Sequence, residues 1–144
     1  MLKGIDSVIS PELIKILMEM GHGDELVIGD GNFPAANCAK RLVRLDGHDV
    51  PRILDAILKL MPLDSYSDYQ IGLMEVTKGD TYVPEIWEEY KKIIVKHEPV
   101  NNKIETIERF AFYERAKNAY AIVSTGETAL YANIILKKGV VINE

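Results

Sequence analysis

The sequence contains a single cysteine, Cys38, among its 144 residues. One cysteine can form neither an intrachain disulfide nor a Cys-based zinc site, which is compatible with a reducing compartment and makes a cytoplasmic location the expectation. The longest apolar runs, such as 120–123 and 134–136, are far shorter than the roughly 18 residues that a membrane span needs. Charges and a proline fall within the first dozen residues, so we expect no export signal.

Positive charge is also scarce, because 17 Lys and Arg stand against 22 Asp and Glu, for a net charge of −5. This balance argues against a protein that binds nucleic-acid phosphates nonspecifically. No Gly-x-Gly-x-x-Gly follows a strand and no P-loop motif occurs, so nucleotide binding is unsupported. A composition of 47% hydrophobic and 27% charged residues predicts one globular domain over residues 1–144.

Helical and strand patterns alternate along the chain. Ser10, Pro11 and Glu12 predict a helix start, and the helix should run to about Met20 with Gly21 as its left-handed cap. Its core-facing stripe is predicted to be Leu13, Ile14, Leu17 and Met18. Further helices are predicted from Pro51, from Pro84 and over 110–119, and strands over 25–28, 41–45, 70–76, 104–107, 120–124 and 133–136. The alternation predicts a three-layer α/β/α domain with a largely parallel sheet.

Two polar residues lie between glycines near the first predicted strand. His22 stands between Gly21 and Gly23, where its imidazole could approach a ligand or lie in an exposed turn. Asp30 follows the strand, at the edge where open α/β sheets bind ligands, although an aspartate is also typical of tight turns. The spacing of His22, Asp30 and Asp24 matches no metal signature, so no metal site is predicted.

Two later segments add candidates. Arg109 precedes an aromatic-rich helix in which Phe110 and Phe112 are typical of core positions. Tyr131 and Asn133 are two residues apart, and in an extended segment both would point to one face. The remaining histidines, His48 and His97, are interpreted as surface residues.

Four blocks in the same order resemble the RbsD/FucU family of sugar mutarotases over nearly the whole chain. They are Met20 to Glu25, Asp30 with Asn32 to Ala35, Arg109 to Ala116, and Tyr131 to Val140. The resemblance implies an RbsD-like fold and the interconversion of α and β anomers of a free sugar without metal or cofactor. It is greatest for the branch of the family that acts on L-fucose, because the ribose branch has a histidine near the position of Arg109.

The same resemblance implies roles for individual residues. His22 would be the proton donor, and the sugar-binding set would be Asp30, Arg109, Tyr131 and Asn133. Phe33, Phe110 or Phe112 could supply an apolar wall for the C6 methyl of L-fucose. The family also implies a ring-shaped homo-oligomer, commonly a decamer, with sites near subunit contacts, and Tyr66, Tyr69 and Tyr82 in predicted loops are compatible with buried interfaces.

The chemistry suits these residue types independently of the family. Anomers interconvert when the ring oxygen gains a proton and the anomeric hydroxyl loses one, and a histidine with an ordinary pKa of about 6.5 exchanges protons near neutral pH. Two alternatives remain at this point: a D-ribose pyranase-type mutarotase, and a non-catalytic sugar-binding subunit. A metal-dependent hydrolase is a more distant third.

Overall fold

The computed structural model describes residues 1–143, which form five helices and six strands. The helices are α1 (Pro11–Glu19), α2 (Ala35–Cys38), α3 (Val50–Leu58), α4 (Ile86–His97) and α5 (Arg109–Asn118). The strands are β1 (Glu25–Gly29), β2 (Leu42–Leu45), β3 (Ile71–Met74), β4 (Ile104–Ile107), β5 (Ala121–Thr125) and β6 (Ile134–Lys137). All the predicted elements are present, and α2 is an addition that the sequence patterns did not predict.

The six strands form one mixed sheet in the order β2-β5-β1-β6-β3-β4. Pairing is parallel between β1 and β5, between β2 and β5, and between β3 and β4. Strand β6 runs antiparallel to both β1 and β3, so the other five strands all point the same way. The predicted α/β architecture with a largely parallel sheet is therefore confirmed.

Helices cover both faces of the sheet, because its buried strands alternate apolar side chains between two cores. On one face Leu26 and Ile28 of β1 pack with buried residues of α1, α3 and α4. On the other face Val27 packs with Phe112 of α5 and Cys38 of α2. The arrangement has the three predicted layers.

Helix α1 begins as its sequence predicts and ends differently. The Ser10 hydroxyl accepts a hydrogen bond from the Leu13 amide, with Pro11 at the first helical position. The left-handed residue after the helix is Gly23, with φ of +86°, and not Gly21. Met18 is exposed and Ile16 is buried in its place, because the core lies on the side of the helix that Leu13 and Leu17 share. Within residues 1–143 no helix is long and apolar enough to cross a membrane.

Candidate functional site

Polar residues converge at one edge of the sheet. Because β1, β3 and β4 are parallel, their carboxyl ends meet there, and antiparallel β6 begins at the same edge. The residues that follow β1, β3 and β4 and precede β6 enclose a cavity of about 240 Å³. It is lined by Asp30, Asn32, Phe33, Met74, Thr77, Asp80, Arg109, Tyr113, Leu130, Tyr131 and Asn133. Its volume is below the roughly 300–1,000 Å³ typical of drug-sized ligands, so a small ligand is indicated.

Asp30 is held in place in the lining of this cavity. Its side chain is buried, and its Oδ1 accepts a hydrogen bond from the Asn32 amide at 3.0 Å. Its own backbone N–H donates to Oδ1 of Asn133 at 2.8 Å, which ties the end of β1 to the start of β6. Burial raises the pKa of the Asp30 carboxyl above its ordinary value, against the lowering effect of backbone hydrogen bonds.

Gly29, immediately before Asp30, permits a close approach of Phe33. A Cβ at position 29 would lie 2.8 Å from the Cβ of Phe33, which is too close for two carbon atoms. Glycine at this position therefore lets the chain fold back after β1 and brings the Phe33 ring to the cavity.

Arg109 is the first residue of α5. The Glu108 carboxylate caps that helix by accepting hydrogen bonds from the backbone amides of Phe110 and Ala111. One turn later in the helix, the Tyr113 hydroxyl accepts a hydrogen bond from Nε of Arg109 at 3.1 Å. The pair presents a guanidinium and a phenol to the same cavity. Sequence reasoning missed Tyr113, although its spacing of four from Arg109 places both on one helix face.

Tyr131 and Asn133 both line the cavity, but not for the predicted reason. The segment is not extended at Tyr131, whose φ of +55° lies in the left-handed region. The Tyr131 hydroxyl donates to Oδ2 of Asp80 at 2.6 Å and accepts from the Thr77 amide at 3.3 Å. Tyr82 stacks against the Tyr131 ring, with ring centroids 6.0 Å apart.

Three phenylalanines were offered as alternatives for the apolar wall, and one of them lies at the cavity. Phe33 lines the cavity, together with Met74 and Leu130, which the sequence did not single out. Phe112 is fully buried and cannot reach a ligand, because it packs in the core beneath Phe33. Phe110 is largely exposed and lies in a neighbouring depression, since it projects from the first turn of α5 away from the cavity.

His22 lies at the opposite edge of the sheet, because it precedes β1 whereas Asp30 follows it. Strand β1 alone spans about 13 Å from Glu25 to Gly29. The His22 side chain is 46% exposed, and its Nε2 lies 2.8 Å from Oδ1 of Asp64. Its ring also contacts Tyr66, with centroids 5.3 Å apart. The single chain therefore brings together four of the five predicted site residues and leaves out His22.

The Asp64 carboxylate contacts the His22 imidazole and restricts its orientation. The sequence did not predict this contact, because Asp64 lies in an acidic loop 42 positions away. Although burial opposes its ionisation, hydrogen bonds from the Ser67 hydroxyl, the Tyr66 amide and His22 lower the pKa of Asp64 to about 2. The carboxylate therefore stays charged throughout the neutral range and can orient the imidazole.

Neither of the other histidines lines the cavity. His97 is not a free surface residue, since its Nε2 lies 2.7 Å from Asp55 and its side chain is only 15% exposed. His48 lies in the turn after β2. In residues 1–143 no group of three or more His, Cys, Asp or Glu side chains is arranged to hold a metal ion.

Comparisons with known proteins agree with this architecture. The sequence model of the RbsD / FucU transport protein family matches residues 3–141. The chain is 50% identical over 140 residues to the L-fucose mutarotase of Actinobacillus pleuropneumoniae serotype 5b, covering 97% of each protein. It is 47% identical over 145 residues to the fucose mutarotase of Homo sapiens, covering 96% of this chain and 94% of that protein.

Solved structures extend the similarity to three dimensions. The crystal structure of the fucose mutarotase from Streptococcus pneumoniae in complex with L-fucose superposes with a TM-score of 0.94 at 57% identity, covering 98% of this chain and 100% of that one. A family match over nearly the whole length and relatives at about half identity agree with the fold and with the cavity at the strand ends. The chain is a member of the RbsD/FucU family.

Proposed function

We propose that this protein interconverts the α and β anomers of L-fucose. The observation that carries the proposal is the convergence of Asp30, Arg109, Tyr131 and Asn133 on one small cavity with an apolar wall. Such a cavity offers directional donors and acceptors for sugar hydroxyls next to a surface for a methyl group. Relatives at about half identity named as L-fucose mutarotases support the same activity.

Each polar group has a distinct part in binding. The carboxylate of Asp30 accepts hydrogen bonds from sugar hydroxyls. Arg109 uses one N–H donor for Tyr113, so its terminal nitrogens can bind two adjacent hydroxyl oxygens. Tyr131 and Asn133 complete the hydrogen-bonding edge, and the Tyr113 phenol adds a donor that faces the same space.

The reaction requires one proton donor and one acceptor. His22 donates a proton to the ring oxygen while the anomeric hydroxyl gives its proton to a water molecule, and the C1–O5 bond breaks to give the open-chain aldehyde. Rotation about the C1–C2 bond and the reverse proton transfers then close the ring as the other anomer. Because reactant and product differ only in configuration at C1, no redox or group-transfer partner is needed.

His22 reaches the sugar from a second copy of the chain. In one protomer the imidazole and the cavity lie at opposite edges of the sheet, whereas a head-to-tail neighbour can bring its His22 edge to the cavity edge. Exposed tyrosines flank both edges. Tyr66 contacts His22, Tyr69 lines the same depression as Tyr66, and Tyr82 stacks on Tyr131 of the cavity. Tyrosine is enriched at protein interfaces. A closed ring of such contacts, a decamer among the possible sizes, gives every protomer one complete site.

Anomer exchange by a panel of sugars tests the function. We expect L-fucose to exchange fastest, L-galactose more slowly and D-ribose slowest in two-dimensional exchange NMR at equal concentration. A buried methyl contributes about 1 kcal/mol, so loss of its contact with Phe33, Met74 and Leu130 should cost roughly five- to tenfold. Faster exchange of D-ribose than of L-fucose would show a ribose-type mutarotase instead.

Removal of the buried charge tests the binding set. Asp30→Asn keeps the side-chain volume and should weaken L-fucose binding roughly ten- to a hundredfold, because hydrogen bonds to charged groups contribute about 1.5–3 kcal/mol. The concentration dependence of exchange measures this shift. Asp46→Asn, at an exposed position outside the cavity, is the matched control and should leave it unchanged. Equal saturation curves for Asp30→Asn and the parent would contradict the assignment.

One observation favours a second candidate, a sugar-binding protein without turnover. The cavity of a single protomer contains the binding residues and lacks His22. A protein that binds L-fucose without exchange cross-peaks above the uncatalysed background would have this function.

A further inference from the structure

Tyr131 adopts a backbone conformation that its side chain disfavours. Among residues 1–143 it is the only residue other than glycine with a positive φ. Such conformations persist where surrounding contacts enforce them, and they concentrate at functional sites. Two aromatic side chains of α4 supply the enforcing contacts.

The first contact is made by Trp87, whose indole Nε1 donates a hydrogen bond to the Tyr131 carbonyl oxygen at 2.8 Å. The second is made by Tyr90, whose hydroxyl donates to the next carbonyl, that of Ala132, at 2.7 Å. Residues three apart lie on one face of a helix, so α4 holds two consecutive carbonyls of the same loop. Trp87 is half-buried against the core and does not line the cavity.

The loop that α4 holds also determines the shape of the cavity. Tyr131 projects its ring into it, with the hydroxyl fixed by Asp80. Asn133 directly follows the second held carbonyl, and its Oδ1 accepts the backbone N–H of Asp30. A change of the Tyr131 peptide would therefore move two sugar-binding side chains together.

We propose that Trp87 is a positioning residue whose indole N–H fixes the left-handed Tyr131 peptide and thereby sets the sugar affinity of the cavity. The inference rests on the proposed function, since sugar is taken as the ligand. The hydrogen bond from the indole to the Tyr131 carbonyl means that a change at the cavity alters the surroundings of the indole. Trp87 is the only tryptophan of the chain. Its fluorescence therefore reports occupancy by the sugar.

Trp87→Phe keeps an aromatic ring and removes the N–H donor. We expect the KM for L-fucose in the exchange assay to rise about three- to tenfold with kcat changed less than twofold, because the loop samples other conformations before sugar binds. The control Ile94→Val removes a buried methyl group from the same helix without touching the loop, and should lower the melting temperature and leave KM unchanged. An unchanged KM in Trp87→Phe would overturn the proposal.

The unmodified protein provides a second measurement that does not depend on the variant folding. L-fucose should change the tryptophan emission saturably, with a midpoint at the dissociation constant of the sugar, and Asp30→Asn should move that midpoint to higher concentration. Constant emission at saturating sugar, while exchange proceeds, would overturn the coupling. Absence of exchange for every sugar would instead refute the proposed function, and the emission titration would still report whether sugar binds.

Discussion

The His22→Ala variant is expected to lose its catalysed anomer exchange almost completely, by at least about 10²-fold, since positioned acid–base catalysis contributes roughly 10² to 10⁴. Exchange cross-peaks between the anomeric protons of L-fucose measure the loss. Sugar binding should persist, because the cavity residues of the same chain are untouched. The expected result is thus a protein that binds L-fucose and does not turn it over.

The fold should survive this substitution. The His22 side chain is about half exposed, and Asp64 keeps its hydrogen bonds to Ser67 and to the Tyr66 amide when the imidazole is removed. His48→Ala provides the matched control, because it removes a histidine that lies outside the cavity and should exchange L-fucose at the parent rate. Parent-like exchange by His22→Ala would mean that another group delivers the proton.

Mixing two impaired variants is expected to restore part of the activity at an L-fucose concentration well below the KM of Asp30→Asn. If His22 and Asp30 of one site come from different protomers, a hetero-oligomer of His22→Ala and Asp30→Asn contains some sites with both residues intact. Random assembly at equal amounts gives about a quarter of sites with an intact pair, and so about a quarter of the parent exchange rate. The two variants are co-purified after joint refolding, and exchange is measured against each alone.

The mixing experiment has two controls. A doubly substituted chain mixed with the parent should give intact pairs in the same proportion, about a quarter of sites, if both residues are needed and the site is shared. Light scattering should give a mass several times 16.2 kDa. A mass of one chain, or mixed variants that remain assembled and exchange no faster than either variant alone, would contradict a site shared between subunits.

Most helices and strands were predicted from the sequence because the residues that start and end them are close neighbours in the chain. The Ser10 cap and Pro11 define the start of α1 from neighbouring residues alone. Helix α2 was missed because four residues carry no periodicity, and its burial depends on packing against α5 and β5. The antiparallel direction of β6 is likewise set by partners distant in the chain, namely β1 and β3.

The site was predictable where a residue follows a strand. Asp30 comes directly after β1 and Arg109 comes two residues after the end of β4, and parallel pairing brings such positions together. Asp64 could not be assigned in this way, since its contact with His22 joins segments 42 positions apart in the sequence. His22 and the cavity are separated because they lie at opposite ends of β1. This separation is recognised only when the positions of both ends of the strand in the fold are known.

Strand β6 connects the two separated parts of the site within each protomer. It starts beside Asn133 in the cavity and ends at Lys137. The next residue, Lys138, accepts a hydrogen bond from the Gly23 amide at its carbonyl oxygen, and its ammonium group donates to the carbonyls of Leu17 and Met20. In the proposed assembly each chain thus contributes to two active sites. Its His22 supplies the proton in the site of one neighbour, and its own cavity binds the sugar that receives a proton from another neighbour. Catalysis then depends on protein concentration, because dilution to free protomers leaves every centre incomplete although each chain remains folded.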